Sequence, residues 1–282
     1  DHVRGKVAEH FDGRIITAGR VAHIYSDKQF EGDGRVRCQF RNRCVRGCPF
    51  GAYFSSLSST LPAAERPGNM TLRPDSIVHE IMNDPDSKKA TGVKVIDRVT
   101  KETFEFKAKV IFLCASAVAS TSILMQSKSD RFENGLGNDS GELGHNIMDH
   151  HFLVGAQGKM DGFDDKYYKG RKPNGIYIPR FRNLGGASDM KDITRGYGYQ
   201  GGAARGDYEN LVAEASFGKE FKEGLMKPGG WTMNMLAFGE ILPYHDNKMM
   251  LDYDKLDQWS LPTVTFDAEI RDYEITMRKE LQ

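Results

Sequence analysis

Residues 109–127, KVIFLCASAVASTSILMQS, read as an apolar strand, a turn of small residues and a helix. A strand that delivers into a small-residue turn and then a helix is the α/β geometry that places ligands at strand C-termini. The apolar run KVIFLCAS predicts a buried strand, with Cys114 inside it as a small core residue. Upstream, TLRPDSIVHEIMND (71–84) and ATGVKVIDRV (90–99), followed by TFEFKAKVIFLCAS (103–116), alternate apolar and polar residues around a DPDSKK turn and a TKE turn, the pattern of a strand meander. Further upstream, GRIITAG (13–19) reads as a short strand and SSLSSTLPAAERPG (55–68) as a short capped helix ending at Pro67-Gly68. Downstream of HHFLVGAQG (150–158) the composition changes. DGFDDKYYKGRKPNGIYIPRFRN (161–183), WTMNMLAFGEILPY (231–244) and KMMLDYD (248–254) read as strands of a more antiparallel unit, and PTVTFDAEIRDYEITMRKEL (262–281) turns from strand to helix. A boundary is expected near residue 152, giving units 1–152 and 153–282.

Composition bounds the function. The chain has 282 residues, 39% hydrophobic and 28% charged, with no formal net charge, as in an ordinary soluble globular protein. Neutral charge gives no global field favouring nucleic acid or an anionic membrane. No apolar stretch approaches the roughly 20 residues a bilayer requires, so no membrane span is expected. The first residues, DHVRGKVAEHFDGR, lack the apolar centre of a signal peptide, there is no initiator Met, and the last residues read as mid-helix. The expectation is an internal fragment of a longer protein, which leaves a cytoplasmic and a periplasmic home both open.

Three of the four cysteines fall in RCQFRNRCVRGCPFGAYFSS (37–56), spaced C-x5-C-x3-C at Cys38, Cys44 and Cys48. Disulfides suit much smaller secreted domains. Structural zinc takes four ligands, commonly as two close pairs, and the second pair is absent here. An iron–sulfur cluster fits better: its thiolates come from one loop, and Cys48-Pro49 matches the Cys-Pro ending of ferredoxin motifs. Arg35, Arg37, Arg41, Arg43 and Arg46 would offset cluster charge, and Gly47 and Gly51 would admit backbone N–H groups to the sulfurs. The same arginines interleaved with Phe40, Phe50, Tyr53 and Phe54 leave a nucleic-acid reader as a rival. A zinc-binding module is the other.

The only G-x-G-x-x-G, Gly196 to Gly201, stands between the polar SDMKDITR and GAARGDYEN and not between a strand and a helix. It reads as a flexible glycine-rich turn, not a dinucleotide loop. GLGNDSGELG (135–144) is a second glycine-rich stretch without the required spacing. Tyr167, Tyr168, Tyr177, Trp231 and Trp259 could stack on a sugar ring, with core packing as the alternative.

The chain resembles the glucose-methanol-choline flavoprotein oxidoreductases, and among them the bacterial sugar and polyol dehydrogenases that carry a 3Fe-4S cluster. The resemblance runs through CQFRNRCVRGCPFGAYFSSLSSTLPAA, NMTLRPDSIVHEI, ATGVKVID, KVIFLCASAVASTSILMQS, GELGHNIMDHH and LPYHDNKMMLD. It implies part of a Rossmann-like FAD-binding domain plus an antiparallel-sheet substrate domain. It implies FAD and a 3Fe-4S cluster as cofactors, the latter on Cys38, Cys44 and Cys48. By the same resemblance Val78 contacts adenine through its backbone, and Ala115 and Ser116 lie close to the nucleotide. Asn146, Asp149 and His150 match a G-x-N-x-x-D-H stretch near the flavin, where a polar surface turn is the alternative. His151 and His245 read as structural or rim residues. Ala115-Ser116 and Ser127-Lys128 depart from the family's Gly-Ala and Ser-Gly. The diphosphate loop is expected before residue 1 and the catalytic His after residue 282, so no catalytic base is assigned and the fragment is expected to be inactive. The implied partners are a sugar or polyol, a cytochrome c or quinone acceptor, and a small accessory subunit.

Overall fold

A computed structural model describes residues 2–26, 34–41, 44–151, 154–165, 175–184, 192–206 and 217–282. The chain forms two compact units, one of Asp1–Met70, His150–Glu240 and Asp272–Gln282, the other of Thr71–Asp149 and Ile241–Arg271. The chain therefore passes between units at several points, one of them Asp149/His150, whereas the sequence suggested a single boundary near 152.

The first unit holds α1 (His2–His10), β1 (Thr17–Ala18), α2 (Thr60–Glu65), β5 (His150–His151), β6 (Gly155–Met160), β7 (Ile176–Ile178), β8 (Gly198–Arg205), α4 (Lys219–Leu225), β9 (Trp231–Glu240) and α5 (Asp272–Leu281). The second holds β2 (Ser76–Asn83), β3 (Ala90–Asp97), β4 (Thr103–Lys107), α3 (Ala117–Gln126), β10 (Lys248–Leu256) and β11 (Pro262–Asp267). Among the described residues every strand pairing is antiparallel, and the mixture of few helices with antiparallel sheets is α+β.

In the first unit the strand order is β1-β7-β8-β9-β5, with β6 also on β9. β5 and β6 share one edge of β9, His151 facing Gly239 and Gly155 facing Leu236. On α5 the buried residues Glu274, Met277 and Leu281 lie at i, i+3 and i+7, one face of a helix. Asp272 and Glu274 in its first turn and Arg278 and Lys279 in its last suit the helix dipole. That face closes a core of Val154, Ile193, Tyr197, Ala237, Met277 and Leu281. Fully burying a side chain of this size stabilises by roughly 1.5–3 kcal/mol. Gly239 makes room for this packing, since a Cβ there would run into the Met277 sulfur and displace that side chain.

The glycine-rich stretch read as a flexible turn is instead the start of β8, in the middle of this sheet. A Cβ on Gly201 would collide with the Asn234 carbonyl of β9. The glycines are spent on close strand approach rather than on turning.

In the second unit the predicted meander is present as β2-β3-β4. Its two turns are built by carboxylates. Asp84 Oδ1 accepts the Asp86 and Ser87 N–H groups at 2.8 and 3.2 Å, and Asp97 Oδ1 accepts those of Val99 and Thr100 at 2.9 and 3.0 Å. The β2–β3 register shifts between Val78 and Glu80, leaving His79 as a bulge.

KVIFLCAS (109–116), expected as a buried strand, is not one. Residues 109–116 take no strand structure, Val110 and Phe112 are 67% and 85% exposed, and Cys114 is exposed. Apolarity favours burial, but a strand also needs a neighbour to pair with, and among the described residues none pairs with this run. The helix after it is present as α3.

The serine-capped helix at 55–68 is present only as the short α2. Ser59 makes no cap bond; its hydroxyl accepts from Arg35 Nη1 at 3.0 Å.

Candidate functional site

The cysteine loop lies in the first unit, in a small backbone clasp. Ile24 N–H donates to Ala52 O at 2.9 Å, Cys38 N–H to Ile24 O at 2.9 Å, and Val36 N–H to Phe50 O at 3.0 Å. Ile24 and Ala52 are buried between these strands of chain. Arg35 is turned inward: it is 9% exposed and its Nε donates to Gly51 O at 2.8 Å. Gly51 has φ +59°, and a Cβ there would press on Arg35 Cγ at 3.0 Å, so the loop closes only over glycine. Of the arginines expected to balance cluster charge, Arg35 is thus a strut. Arg37, Arg41 and Arg46 are exposed, and Arg43 lies outside the described residues.

Each of the three sulfurs meets a hydrogen-bonding group. Phe40 N–H points at Cys38 Sγ, 3.4 Å away. Cys44 Sγ lies 3.4 Å from His23 Nε2, and the His23 ring meets Tyr53 edge-on at 5.1 Å. Burial pushes the Cys48 thiol up, but the backbone N–H groups of Tyr53, Phe50, Ala52 and Gly51 more than offset it and leave the thiol below its ordinary value. The four cysteines form no disulfide. Among the described residues, Cys38, Cys44 and Cys48 among them, no three Cys, His, Asp or Glu side chains converge into a group that could hold a metal ion. The arrangement is a set of polarised thiols rather than a formed cluster site. Sequence reasoning missed His23, since nothing local marks a histidine 21 residues before its cysteine.

The second unit carries the residues expected to meet the nucleotide. Val78 lies in β2 opposite Val95, next to the His79 bulge. Ala115 and Ser116 are exposed at the start of α3, where Ser116 has φ 72° and makes no side-chain cap. The first N–H groups of α3 therefore look onto small residues with no serine cap over them. A helix start of this kind suits an anionic group.

A second cluster joins the 141–149 stretch to the loop before β10. The His145 and His245 rings stack at 4.2 Å with an 18° interplanar angle, and His145 Nδ1 donates to His245 O at 2.7 Å. Glu142 reaches His245 Nε2 at 3.2 Å and accepts from Asn146 Nδ2 at 3.1 Å. Asn146 has φ 60°, a left-handed backbone that asparagine tolerates. Buried Asn247 locks the other side. Its backbone O accepts Ile147 N–H at 2.9 Å, and its side chain exchanges bonds with Glu269 at 3.1 and 3.2 Å. Asp149 contributes its carbonyl, accepting Ile241 N–H at 3.0 Å. Asn146 is thus gathered with Glu142, His145 and His245. His150 belongs to the first unit, on β5, its ring edge-on to Phe238 at 5.9 Å.

His151, next along β5, is 1% exposed, and among the described residues neither ring nitrogen has a hydrogen-bond partner. Burial, with Arg278 adding to it and Glu274 opposing, holds its imidazole below the ordinary value. Of the aromatics considered for sugar stacking, Tyr167 and Tyr168 lie outside the described residues and Tyr177 is 37% exposed on β7. Trp231 donates its indole N–H to Phe163 O at 3.0 Å.

Among the described residues no helix is long and apolar enough to cross a membrane. The chain is 24% identical over 238 residues to a fructose dehydrogenase large subunit of Gluconobacter japonicus, covering 84% of this chain and 42% of that protein. It is 27% identical over 245 residues to a 2-methyl-1,2-propanediol dehydrogenase of Mycolicibacterium austroafricanum, covering 83% and 42%. A paromamine 6'-oxidase of Streptomyces fradiae is 31% identical over 117 residues, 40% of this chain and 21% of that protein. The chain spans under half the length of each. The sequence model of the GMC oxidoreductase family matches residues 7–152, from α1 through the cysteine loop, the meander and α3 to β5, and the chain belongs to that family.

Proposed function

We propose that the protein to which this chain belongs is an FAD-dependent dehydrogenase that oxidises a CH–OH group of a sugar, glycoside or polyol. The observation that carries the reading is the family match, joined to two dehydrogenase relatives, one named for fructose and one for a diol, that align over more than four-fifths of the chain. FAD, when bound, supplies hydride acceptance. The residues of this chain supply binding and orientation. The exposed Ala115-Ser116 turn and the uncapped start of α3 fit the approach of a nucleotide, Val78 offers backbone beside a bulge, and Asn146 is held by Glu142. Asp149 and His150 extend the same family stretch.

The second part of the proposal is a 3Fe-4S cluster on Cys38, Cys44 and Cys48, passing electrons to a cytochrome or quinone. The C-x5-C-x3-C spacing and the N–H groups around the Cys38 and Cys48 sulfurs support it. Among the described residues the thiols as arranged do not converge on a metal.

Iron, acid-labile sulfide, zinc and flavin content of the full-length protein, purified without air, tests both parts. One flavin that bleaches on adding a sugar or polyol supports the dehydrogenase, and its absence overturns it. Iron near three per chain with sulfide supports the cluster. Zinc alone removes it and leaves the loop a structural clasp.

A further inference from the structure

The first unit contains a cavity of about 340 Å3 between α1 and the face of β7 and β8. It is walled by the rings of Phe11, Phe181, Tyr197 and Tyr199 and by the guanidinium groups of Arg14 and Arg182. Pockets for small ligands start at roughly 300 Å3 and pair mostly apolar walls with a few placed polar groups. The rings are fixed by one another. Phe181 and Tyr199 stack with a 5° interplanar angle at 6.3 Å, and Tyr197 meets both edge-on at 5.8 and 5.9 Å. The phenols are anchored too, donating to the carbonyls of Glu280 and Leu281 at 3.1 and 3.2 Å.

Arg14 lies over the Phe181 ring at 4.5 Å and over Phe11 at 5.5 Å. Arg182 lies 5.7 Å from the centroid of the same Phe181 ring. A guanidinium stacked on a ring face is held by its π surface, so its in-plane N–H donors stay available to a planar anion. Among the described residues Arg14 forms no ion pair with a carboxylate. Glu280 lines the same cavity from an exposed position on α5. Both guanidiniums act on the Tyr199 phenol, pulling it down against the burial that raises it, which places their charge inside the ring cluster.

We infer that this cavity is a binding site for a small planar aromatic carboxylate. The aromatic walls take the ring, and Arg14 takes the carboxylate through paired N–H donors, with Arg182 adding charge. The aromatic walls call for a flat ring, and the stacked cations for a carboxylate on it. This inference is independent of the proposed dehydrogenase activity.

The test is calorimetric titration of the full-length protein with benzoate, and with benzamide as its uncharged near-isostere. Saturable one-to-one benzoate binding is expected, with benzamide at least about tenfold weaker. Arg14→Gln should weaken benzoate by roughly the same factor while leaving benzamide unchanged. Equal affinity for the two ligands would reduce the cavity to an unselective apolar hole and overturn the proposal. So would the absence of saturable benzoate binding up to about 10 mM, or unaltered benzoate affinity in an Arg14→Gln protein that keeps the parent melting temperature. If that variant does not fold, the benzoate-to-benzamide ratio on the parent protein decides alone.

Discussion

Ser127 Oγ accepts the backbone N–H of Ile81 at 2.8 Å and donates to the Ile123 carbonyl at 2.6 Å, and its side chain is fully buried. One hydroxyl thereby ties the end of α3 to the middle of β2 across 46 residues of chain. Ser127→Ala leaves a buried donor unpaired and is expected to cost about 1–3 kcal/mol, read as a fall in the urea midpoint with unchanged slope. A neutral result would mean that water replaces the hydroxyl.

Gly201 and Gly202 are adjacent in β8 but differ in what they face. A Cβ on Gly201 meets the Asn234 backbone, whereas on Gly202 its nearest neighbour is Asn234 Oδ1 at 3.9 Å. Gly201→Ala is expected to destabilise by more than about 3 kcal/mol, because backbone on both strands must move, and Gly202→Ala by less than about 1 kcal/mol. Thermal melts of the two variants check the contrast.

His151 sets a pH dependence. Its folded pKa lies below the ordinary imidazole value of 6.5, so the unfolded chain binds its proton first as pH falls. The penalty is absent well above pH 6.5 and grows as pH drops below it. His79, also held low, chiefly by burial, acts in the same direction. His151→Gln, which cannot charge, should flatten the acid limb of stability between about pH 6.5 and 5. A parent protein with no such limb would show that water reaches the ring.

Cys48 should behave as an acidic thiol. In reduced, metal-free protein its rate of alkylation by iodoacetamide is expected to rise with a midpoint below that of free N-acetylcysteine, read by mass mapping of the tryptic 47–88 peptide, since Arg66 and Arg73 each precede proline. A midpoint above the free thiol would mean that burial outweighs the four N–H groups.

The sequence and the structure agree where local chemistry is sufficient. The β2-β3-β4 meander was legible because alternation and the Asp84 and Asp97 turns are both local. KVIFLCAS was misread because apolarity reports what a segment would bury, not whether a partner strand stands beside it. GYGYQG was misread for the converse reason: glycine permits a turn and also permits Gly201 to lie against Asn234, and only the distant strand decides. α1 carried no apolar stripe and buries no residue, so nothing marked it. In the cysteine loop the spacing was visible, while the inward Arg35 and the distant His23 depend on chain closure.

The first unit is assembled from Asp1–Met70, His150–Glu240 and Asp272–Gln282, and its core closes on Met277 and Leu281. On a ribosome adding about 5–20 residues per second, the cysteine-loop segment waits roughly 10–40 s for the helix that completes its own fold. For the last roughly 2–8 s of that interval, between synthesis of β9 and of α5, nascent β7, β8 and β9 wait without the helix that covers them. Production should accordingly depend on holding chaperones and on slow growth temperature more than the modest size of the chain suggests.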